Sequence, residues 1–335
     1  MRLSIGILGC GSIARTHAGV LRGMPEVRIA AVCDSDASRA QALAETLPGA
    51  RWSSDAYEIL RAGDIDAVYI CTRHDSHAPL AVAAAEAGKH IYLEKPLALT
   101  MEDCDRIGAA LRGSASRLMT GFNHRFHPSV RAAAAHVPEP QLVIAQVCDE
   151  RWPDDFWAND PAAGGGNVLS QGCHLVDLVC MLHAAPPLRV QAEAGNLRHP
   201  GLDIIDTLTA TLLFANGGVA TLAIADGGTS PLLSKWSLQL MGGSTSAHVH
   251  DRFASVTLHR ERSTLTQKSD TDISFADINA HFVRGLLRSE PFRTGFAEGR
   301  RATAILLRAL RAAQTGTAQR LDDLQDDTTI HGEPR

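Results

Sequence analysis

The stretch LSIGILGCGSIART, residues 3–16, decides how the first half of this chain folds. It opens on a short apolar run that is bounded at once by glycine, which predicts a buried strand over residues 3–9, and residues 12–24 then read as a helix. Between them Gly9-Cys10-Gly11-Ser12-Ile13-Ala14 matches the G-x-G-x-x-G/A fingerprint of a dinucleotide site, in the strand-turn-helix setting that gives the match weight. Gly9 permits the tight turn, Gly11 lets the backbone approach a pyrophosphate, and Ala14 is small enough for the helix to pack on the strand. The free N–H groups at Ser12 and Ile13, at the start of the helix, face the phosphate charge. Asp34 ends the next strand-like run, residues 27–34, where an acid accepts hydrogen bonds from the ribose hydroxyls. A carboxylate there repels a 2′-phosphate, and Ser35 and Asp36 supply no cation to neutralise one, so NAD is expected rather than NADP.

Working outward, short apolar runs alternate with helical ones as far as residue 122, the sign of βαβ units and a parallel sheet. Residues 38–46 and 55–61 read as helices, the second started by Ser53, Ser54 and Asp55. A strand over 67–72 precedes an alanine-rich helix over 77–87 that stops at Gly88, in the position of a left-handed cap. Residues 91–95, a helix over 101–112 and residues 117–122 complete a five- or six-stranded doubly wound unit. After Phe126 the pattern changes. Residues 141–151 predict a strand and 168–183 a helix. Residues 206–215 alternate, with Leu208, Ala210, Leu212 and Phe214 on one side and Thr207, Thr209 and Thr211 on the other. Asn216-Gly217 then turns the chain into a second strand over 218–225. Further strands fit 236–241, 247–251 and 255–260, and two helices fit 275–288 and 295–315. The expected fold class is α/β: an N-terminal Rossmann doubly wound parallel sheet, then a C-terminal α/β domain with a large, mostly antiparallel open sheet. The expected domains are residues 1–122 and 123–321, with the polar, acidic residues 322–335 as a flexible tail.

The 335 residues are 45% hydrophobic and 21% charged, with 28 glycines and 15 prolines, which excludes collagen-like, repetitive and broadly disordered classes. Thirty-two Lys and Arg against 37 Asp and Glu leave a net charge of −5. That balance lacks the basic excess that nucleic acid or an anionic membrane attracts, so the expected partner is a small molecule. No apolar run approaches the ~18 residues of a membrane span, and the first nine residues carry no features of a secretory or transit signal. The seven cysteines, at 10, 33, 71, 104, 148, 173 and 180, are odd in number and contain no CxxC pair. A cytoplasmic location is expected, without a disulfide framework or structural zinc.

Glu94-Lys95-Pro96 follows the strand over residues 91–93 at the carboxyl edge of the sheet, where ligands of such sheets bind. A lysine beside an oxidised nicotinamide is useful because the cationic ring and partial burial lower its pKa. It then takes a proton from a hydroxyl as hydride leaves the same carbon. On spacing alone, a surface lysine is the commoner reading. At this point the sequence resembles the Gfo/Idh/MocA family of NAD(P)-dependent sugar and polyol oxidoreductases, inositol 2-dehydrogenases among them, over about residues 3–316. The carriers are the glycine turn at 9–14, AEAGKHIYLEKPL at 85–97, GFNHRF at 121–126, Gly164-Gly165-Gly166, and His174 and Asp177 within NVLSQGCHLVD.

The resemblance implies a Rossmann domain joined to a domain that binds substrate and whose open sheet builds homodimers or homotetramers. It implies that Lys95 binds the substrate hydroxyl and assists proton transfer, and that His174 acts as acid/base or orients the reacting hydroxyl. It places Thr72, Arg73 and His77 near the nicotinamide ribose, with Glu94 and Lys95 at the same cofactor. Ser170 is a departure, because members with the dehydrogenase triad usually carry Asp four residues before that histidine. Serine holds a hydroxyl by hydrogen bonds but does not act as a carboxylate, so proton transfer rests more on Lys95 and His174. Positions 170, 174 and 177 share one helix face, which places Asp177 to orient His174 from one turn away.

Upstream of the glycines, Arg151, Trp152, Asp154, Asp155, Phe156, Trp157 and Asn159 combine aromatic faces with acids and an amide, as in sites for uncharged sugars and polyols. A hydrophobic plug between domains is the competing reading of Trp152 and Trp157. With Arg125, the substrate-binding candidates are Arg125, Trp152, Asp154, Trp157, Ser170 and Asp177. The pairs His124 with His127 and His248 with His250 lack a third ligand at recognisable spacing, so no metal is expected. The expected function is NAD-dependent oxidation of a secondary hydroxyl of a sugar or cyclitol by hydride transfer. Two alternatives stand beside it: an NAD-dependent glycosidase of the same family that keeps NAD tightly bound, and a non-catalytic regulator sensing a sugar or dinucleotide.

Overall fold

In chain order the first elements are β1 (Leu3–Leu8), α1 (Ser12–Arg22), β2 (Val27–Cys33), α2 (Ala37–Ala44), β3 (Arg51–Ser53), α3 (Ala56–Arg61), β4 (Ala67–Ile70), α4 (His77–Glu86), β5 (His90–Leu93), α5 (Met101–Arg112) and β6 (Leu118–Thr120). Then come α6 (Pro128–His136), β7 (Leu142–Asp149), α7 (Gly166–His183), β8 (Pro187–Gly195), β9 (Thr207–Phe214), β10 (Val219–Asp226), β11 (Trp236–Gly242), β12 (Thr245–His250), β13 (Ser255–Arg260), β14 (Ser263–Lys268), α8 (Ser274–Arg288), α9 (Phe296–Thr315) and β15 (Gln319–Arg320). This is a computed structural model, and it describes residues 2–227, 234–269 and 273–325. The described chain forms two units: residues 2–122 with Phe275–Arg300, and Asn123–Ser274 with residues 301–325.

In the first unit six parallel strands lie in the order β3-β2-β1-β4-β5-β6. The order reverses between β1 and β4, so the loops that follow these two strands open side by side at the carboxyl edge, where such sheets bind ligands. Burial on both faces explains why the central strands are apolar in their middles: Ile5, Ile7, Val32, Val68, Ile70, Ile91 and Leu93 are all fully buried, each contributing about 2 kcal/mol by removal from water. Asp55 caps α3 by accepting from the Tyr57 N–H, and Gly88 ends α4 at φ +70°, as the sequence predicts for both.

Residues 275–300, which the sequence reading groups with the second domain, pack instead with the first. Long-range bonding is the reason: the Arg117 guanidinium donates to the Gly285 carbonyl at 2.6 Å, and Thr120 donates its N–H to the Thr294 carbonyl and its hydroxyl to the Gly295 carbonyl.

In the second unit nine strands lie in the order β14-β13-β12-β11-β7-β10-β9-β8-β15. β7 and β10 pair in parallel, and the other neighbours are antiparallel. The alternation read over 206–215 is the pleat of β9, whose Leu208, Ala210, Leu212 and Phe214 are buried. The hairpin at Asn216-Gly217 joins β9 to β10, with Gly217 at φ +80°. Helix α7 packs on β7 and β10, closely enough that a Cβ at Gly172 would lie 2.7 Å from Ile224 Cδ1.

The sequence reading leaves out β3, α6, β8, β14 and the two-residue β15. β3 has three residues and β14 is exposed along its whole length, so neither carries an apolar alternation. The first four residues expected in a tail are folded. Asp322–Gln325 forms a helical turn with Leu321 and Leu324 buried, and Asp323 accepts from Arg308 at 2.5 and 2.6 Å. Residues 326–335 lie outside the described residues.

Candidate active site

The glycine turn is shaped for a phosphate. Gly9 sits at φ +88°, and a Cβ there would lie 2.5 Å from the Cys71 carbonyl oxygen, so both conformation and space demand glycine. Gly11 precedes α1, and no side chain caps the helix; a Cβ on Gly11 would meet no protein atom within 4 Å. Exposed amides and open space at a helix start form an anion site. Asp34 clasps the turn from β2, its two oxygens accepting from the N–H groups of Cys10 at 2.8 Å and Asp36 at 3.0 Å. Each oxygen keeps a second lone pair for a ribose hydroxyl.

A 590 Å³ cavity opens here, lined by Cys10, Gly11, Ser12, Arg15, Thr16 and Arg39. The two arginines were not singled out from sequence; Arg39 is paired with Asp36 at 3.3 Å. Burial, and then the Asp34 charge, push the Cys10 thiol up to about 12 and Cys33 to about 11, so Cys10 serves as a small apolar wall rather than a nucleophile. These features fit a dinucleotide.

In the same unit, β5 delivers Glu94-Lys95-Pro96, and the Lys95-Pro96 peptide is cis. Lys95 is half-buried. Glu94 is buried, and His17 Nε2 lies 3.0 Å from its Oε1. Because the carboxylate only accepts, His17 carries its proton on Nε2, and Nδ1 accepts from Asn279 Nδ2 at 2.9 Å. His17 also packs its ring against Tyr69 and Tyr92. It was missed from sequence, although its place beside Ala14, Ala18 and Leu21 on the buried face of α1 was a signal. A Cβ at Gly121 would come 2.8 Å from Glu94 Oε1, which accounts for that glycine.

His77 is fully buried and kept neutral by burial. Its single N–H sits on Nδ1, 2.8 Å from the Pro96 carbonyl, so it braces the lysine turn from within, while Nε2 lies 3.4 Å from the Thr72 carbonyl. The Thr72 hydroxyl accepts from Ser76 at 2.7 Å, and Arg73 is exposed beside Asp75.

In the second unit α7 begins after Gly165 at φ +74° and carries Ser170, His174 and Asp177, all buried. A Cβ at Gly164 would lie 2.2 Å from the Ala158 Cα, so the triple glycine lets the preceding loop close on the helix start. Both oxygens of Asp177 accept from Arg125, at 2.6 Å from Nε and 2.5 Å from Nη2. Asp177, expected to orient His174, thus holds Arg125. The His174 ring packs against His124 at 4.4 Å and edge-on to Trp236 at 5.5 Å. Neither neighbour was expected, and Trp236, at the start of a strand, gave no signal in the sequence. His127 caps α6 by accepting from the Ser129 N–H.

The loop before α7 holds Trp152, Phe156 and Trp157 in ring-to-ring sequence, at 5.2 and 5.5 Å. Both tryptophans are half-buried. Trp152 Nε1 donates to Asp149 at 3.1 Å, and Asp154 accepts from Arg151 and lies 2.6 Å from His199 Nδ1. Among the described residues, no three His, Cys, Asp or Glu side chains converge as a metal site, and no helix is long and apolar enough to cross a membrane.

Residues 3–122 match the family model described as oxidoreductase family, NAD-binding Rossmann fold, and residues 136–231 match the Gfo/Idh/MocA C-terminal domain. The chain is 33% identical over 231 residues to a myo-inositol 2-dehydrogenase of Thermotoga maritima, covering 66% of this chain and 67% of that protein. It is 32% identical over 208 residues to an inositol 2-dehydrogenase of Rhizobium meliloti, covering 59% and 60%. The matched stretch therefore spans about two thirds or less of these relatives' length. A levoglucosan dehydrogenase solved with NADH and levoglucosan superposes with a TM-score of 0.88 at 18% identity, covering 96% of this chain and 99% of that one; at that identity the likeness shows the fold. With both halves of the chain matched by models of one family, in the order in which the two units are built, this protein is a member of the Gfo/Idh/MocA oxidoreductases, with an NAD-binding Rossmann domain.

Proposed function

We propose that this protein is an NAD-dependent dehydrogenase that oxidises a secondary hydroxyl of a sugar or cyclitol. The observation that carries the reading lies in the first unit. An uncapped helix start, clasped by Asp34, shares one sheet edge with a lysine turn braced from below by His17 and His77. In this reading NAD supplies the hydride acceptor when bound there. The first-turn amides of α1, at Ser12 and Ile13, hold the pyrophosphate, Asp34 holds the ribose hydroxyls, and Thr72 and Arg73 serve the nicotinamide side. Glu94 and His77 act by holding the Lys95 turn in shape.

Lys95 takes the hydroxyl proton, and His174 orients and shares it. Ser170 hydrogen-bonds a neighbouring hydroxyl, Trp152, Asp154 and Trp157 supply the aromatic and acidic surface a polyol needs, and Arg125 with Asp177 frames that surface. Names of relatives that act on inositol support the substrate class. Assembly as a homodimer or homotetramer, tested by light scattering, and a cytoplasmic location belong to the same proposal. None of the seven cysteines is in a disulfide, which suits a reducing compartment.

The test is a panel of cyclitols and free, amino and nucleotide-linked sugars screened for NADH formation. At least one is expected to react, with Lys95→Ala lowering kcat by about 10²-fold or more and leaving NAD affinity unchanged. Wild-type turnover by Lys95→Ala removes Lys95 from the chemistry, and NADP binding equal to or tighter than NAD removes Asp34 as the selector.

A further inference from the structure

A knot of charge in the second unit surrounds His199, on the loop between β8 and β9. The imidazole is buried. Its Nδ1 lies 2.6 Å from Asp154 Oδ1, on the aromatic loop, and its Nε2 lies 2.6 Å from Asp226 Oδ2, at the end of β10. A carboxylate oxygen accepts and does not donate, so two such contacts satisfy the ring only when both nitrogens carry protons. The surroundings are built for that cation. Asp206, itself fully buried, gathers the N–H groups of Leu197, Arg198 and His199 and fixes the loop. Asp226 also accepts the Trp152 N–H on both oxygens. Arg151 spans from Asp154 to the Arg198 carbonyl, and Asp149 is paired with Lys235 at 2.6 Å.

We propose that His199 is a positioning residue: doubly protonated, it latches the aromatic loop of residues 152–157 to the end of β10 through Asp154, and its deprotonation frees the Asp154 side of that loop while Trp152 stays on Asp226. Neutral imidazole has one N–H, so one carboxylate must then face a lone pair. Asp226 is fully buried and cannot turn to water, whereas the Asp154 side chain is 59% exposed; the Asp154 contact is the one that opens. Burial, and to a lesser extent the Arg151 charge, pull the His199 pKa down, but the hydrogen bonds to Asp154 and Asp226 and the Asp226 charge outweigh them and hold it above the ordinary histidine value. The latch is therefore complete below about pH 6.5 and is lost as the pH rises through that raised value. The proposal rests on the substrate reading above only in making the loop a substrate surface; the latch itself stands on geometry.

Trypsin cleavage after Arg151 reads the latch directly, because Arg151 is one of its members. Cleavage is normalised to a free peptide spanning the same bond. The wild type should be cut slowly at about pH 6 and about tenfold faster at about pH 9, the factor that one lost charged contact carries. His199→Gln should be cut about tenfold faster at the lower pH, with no further pH dependence, and should raise KM for the hydroxyl substrate more than it lowers kcat. Asp154→Asn, an exposed change that spares folding, should shift the wild-type transition to lower pH. A wild-type rate independent of pH, with Asp154→Asn cut like the wild type, overturns the latch. Faster cutting of His199→Gln with KM unchanged overturns the positioning role. If no polyol yields NADH while the cleavage transition persists, the dehydrogenase reading fails and the latch stands.

Discussion

Replacing Arg125 tests whether Asp177 is a brace for α7. The guanidinium and carboxylate form a two-pronged pair at 2.6 and 2.5 Å, with side chains 10% and 1% exposed. Arg125→Ala strips Asp177 of that partner where little water can replace it, and breaking such a buried pair costs about 3–5 kcal/mol. For a unit of this size each kcal/mol moves the melting temperature by about 2–4 °C, so a drop of about 10 °C is expected. Arg125→Lys keeps the charge but not the planar fork and should fall in between. Arg125→Met with Asp177→Leu removes both charges and should recover most of the loss, since an apolar replacement of a buried pair is often neutral. Urea denaturation followed by circular dichroism, with the slope checked for constancy, on the wild type, Arg125→Met, Asp177→Leu and the double variant gives the four free energies of the cycle. A loss below about 1 kcal/mol in Arg125→Ala, or additive single effects in the double variant, refutes the brace.

Gly9→Ala should abolish dinucleotide binding and destabilise the first unit, because φ is +88° and the added Cβ would sit 2.5 Å from the Cys71 oxygen; dinucleotide titration and thermal melting measure both. His281 accepts from the Arg293 N–H, and its pKa is pushed down to about 4 by burial and then by Arg293 and Arg284. The unfolded chain binds that proton more tightly, so stability falls as the pH drops from about 6.5 towards 4, by about 2 kcal/mol between about pH 7 and pH 5. His281→Gln should flatten that part of the urea-derived stability profile.

What the sequence determined by itself is local. The glycine turn, the Asp55 cap, the Gly88 stop, the β9 pleat and the Asn216-Gly217 hairpin each depend on neighbours a few residues apart, and each formed where the pattern placed it. These patterns encode which face is buried, and so the fold class was legible from them. Elements without such a pattern, above all the fully exposed β14, were not.

The tertiary structure alone decided which polar group meets which. Glu94 finds His17 across 77 residues, Asp177 finds Arg125 across 52, and Asp154 finds His199 across 45. Residues 275–300 return to the first sheet because Arg117 and Thr120 find their hydrogen-bonding partners there. The physical reason is the same in each case. A buried polar group must find a partner, and that partner is chosen by where the chain returns in space, which no local periodicity records.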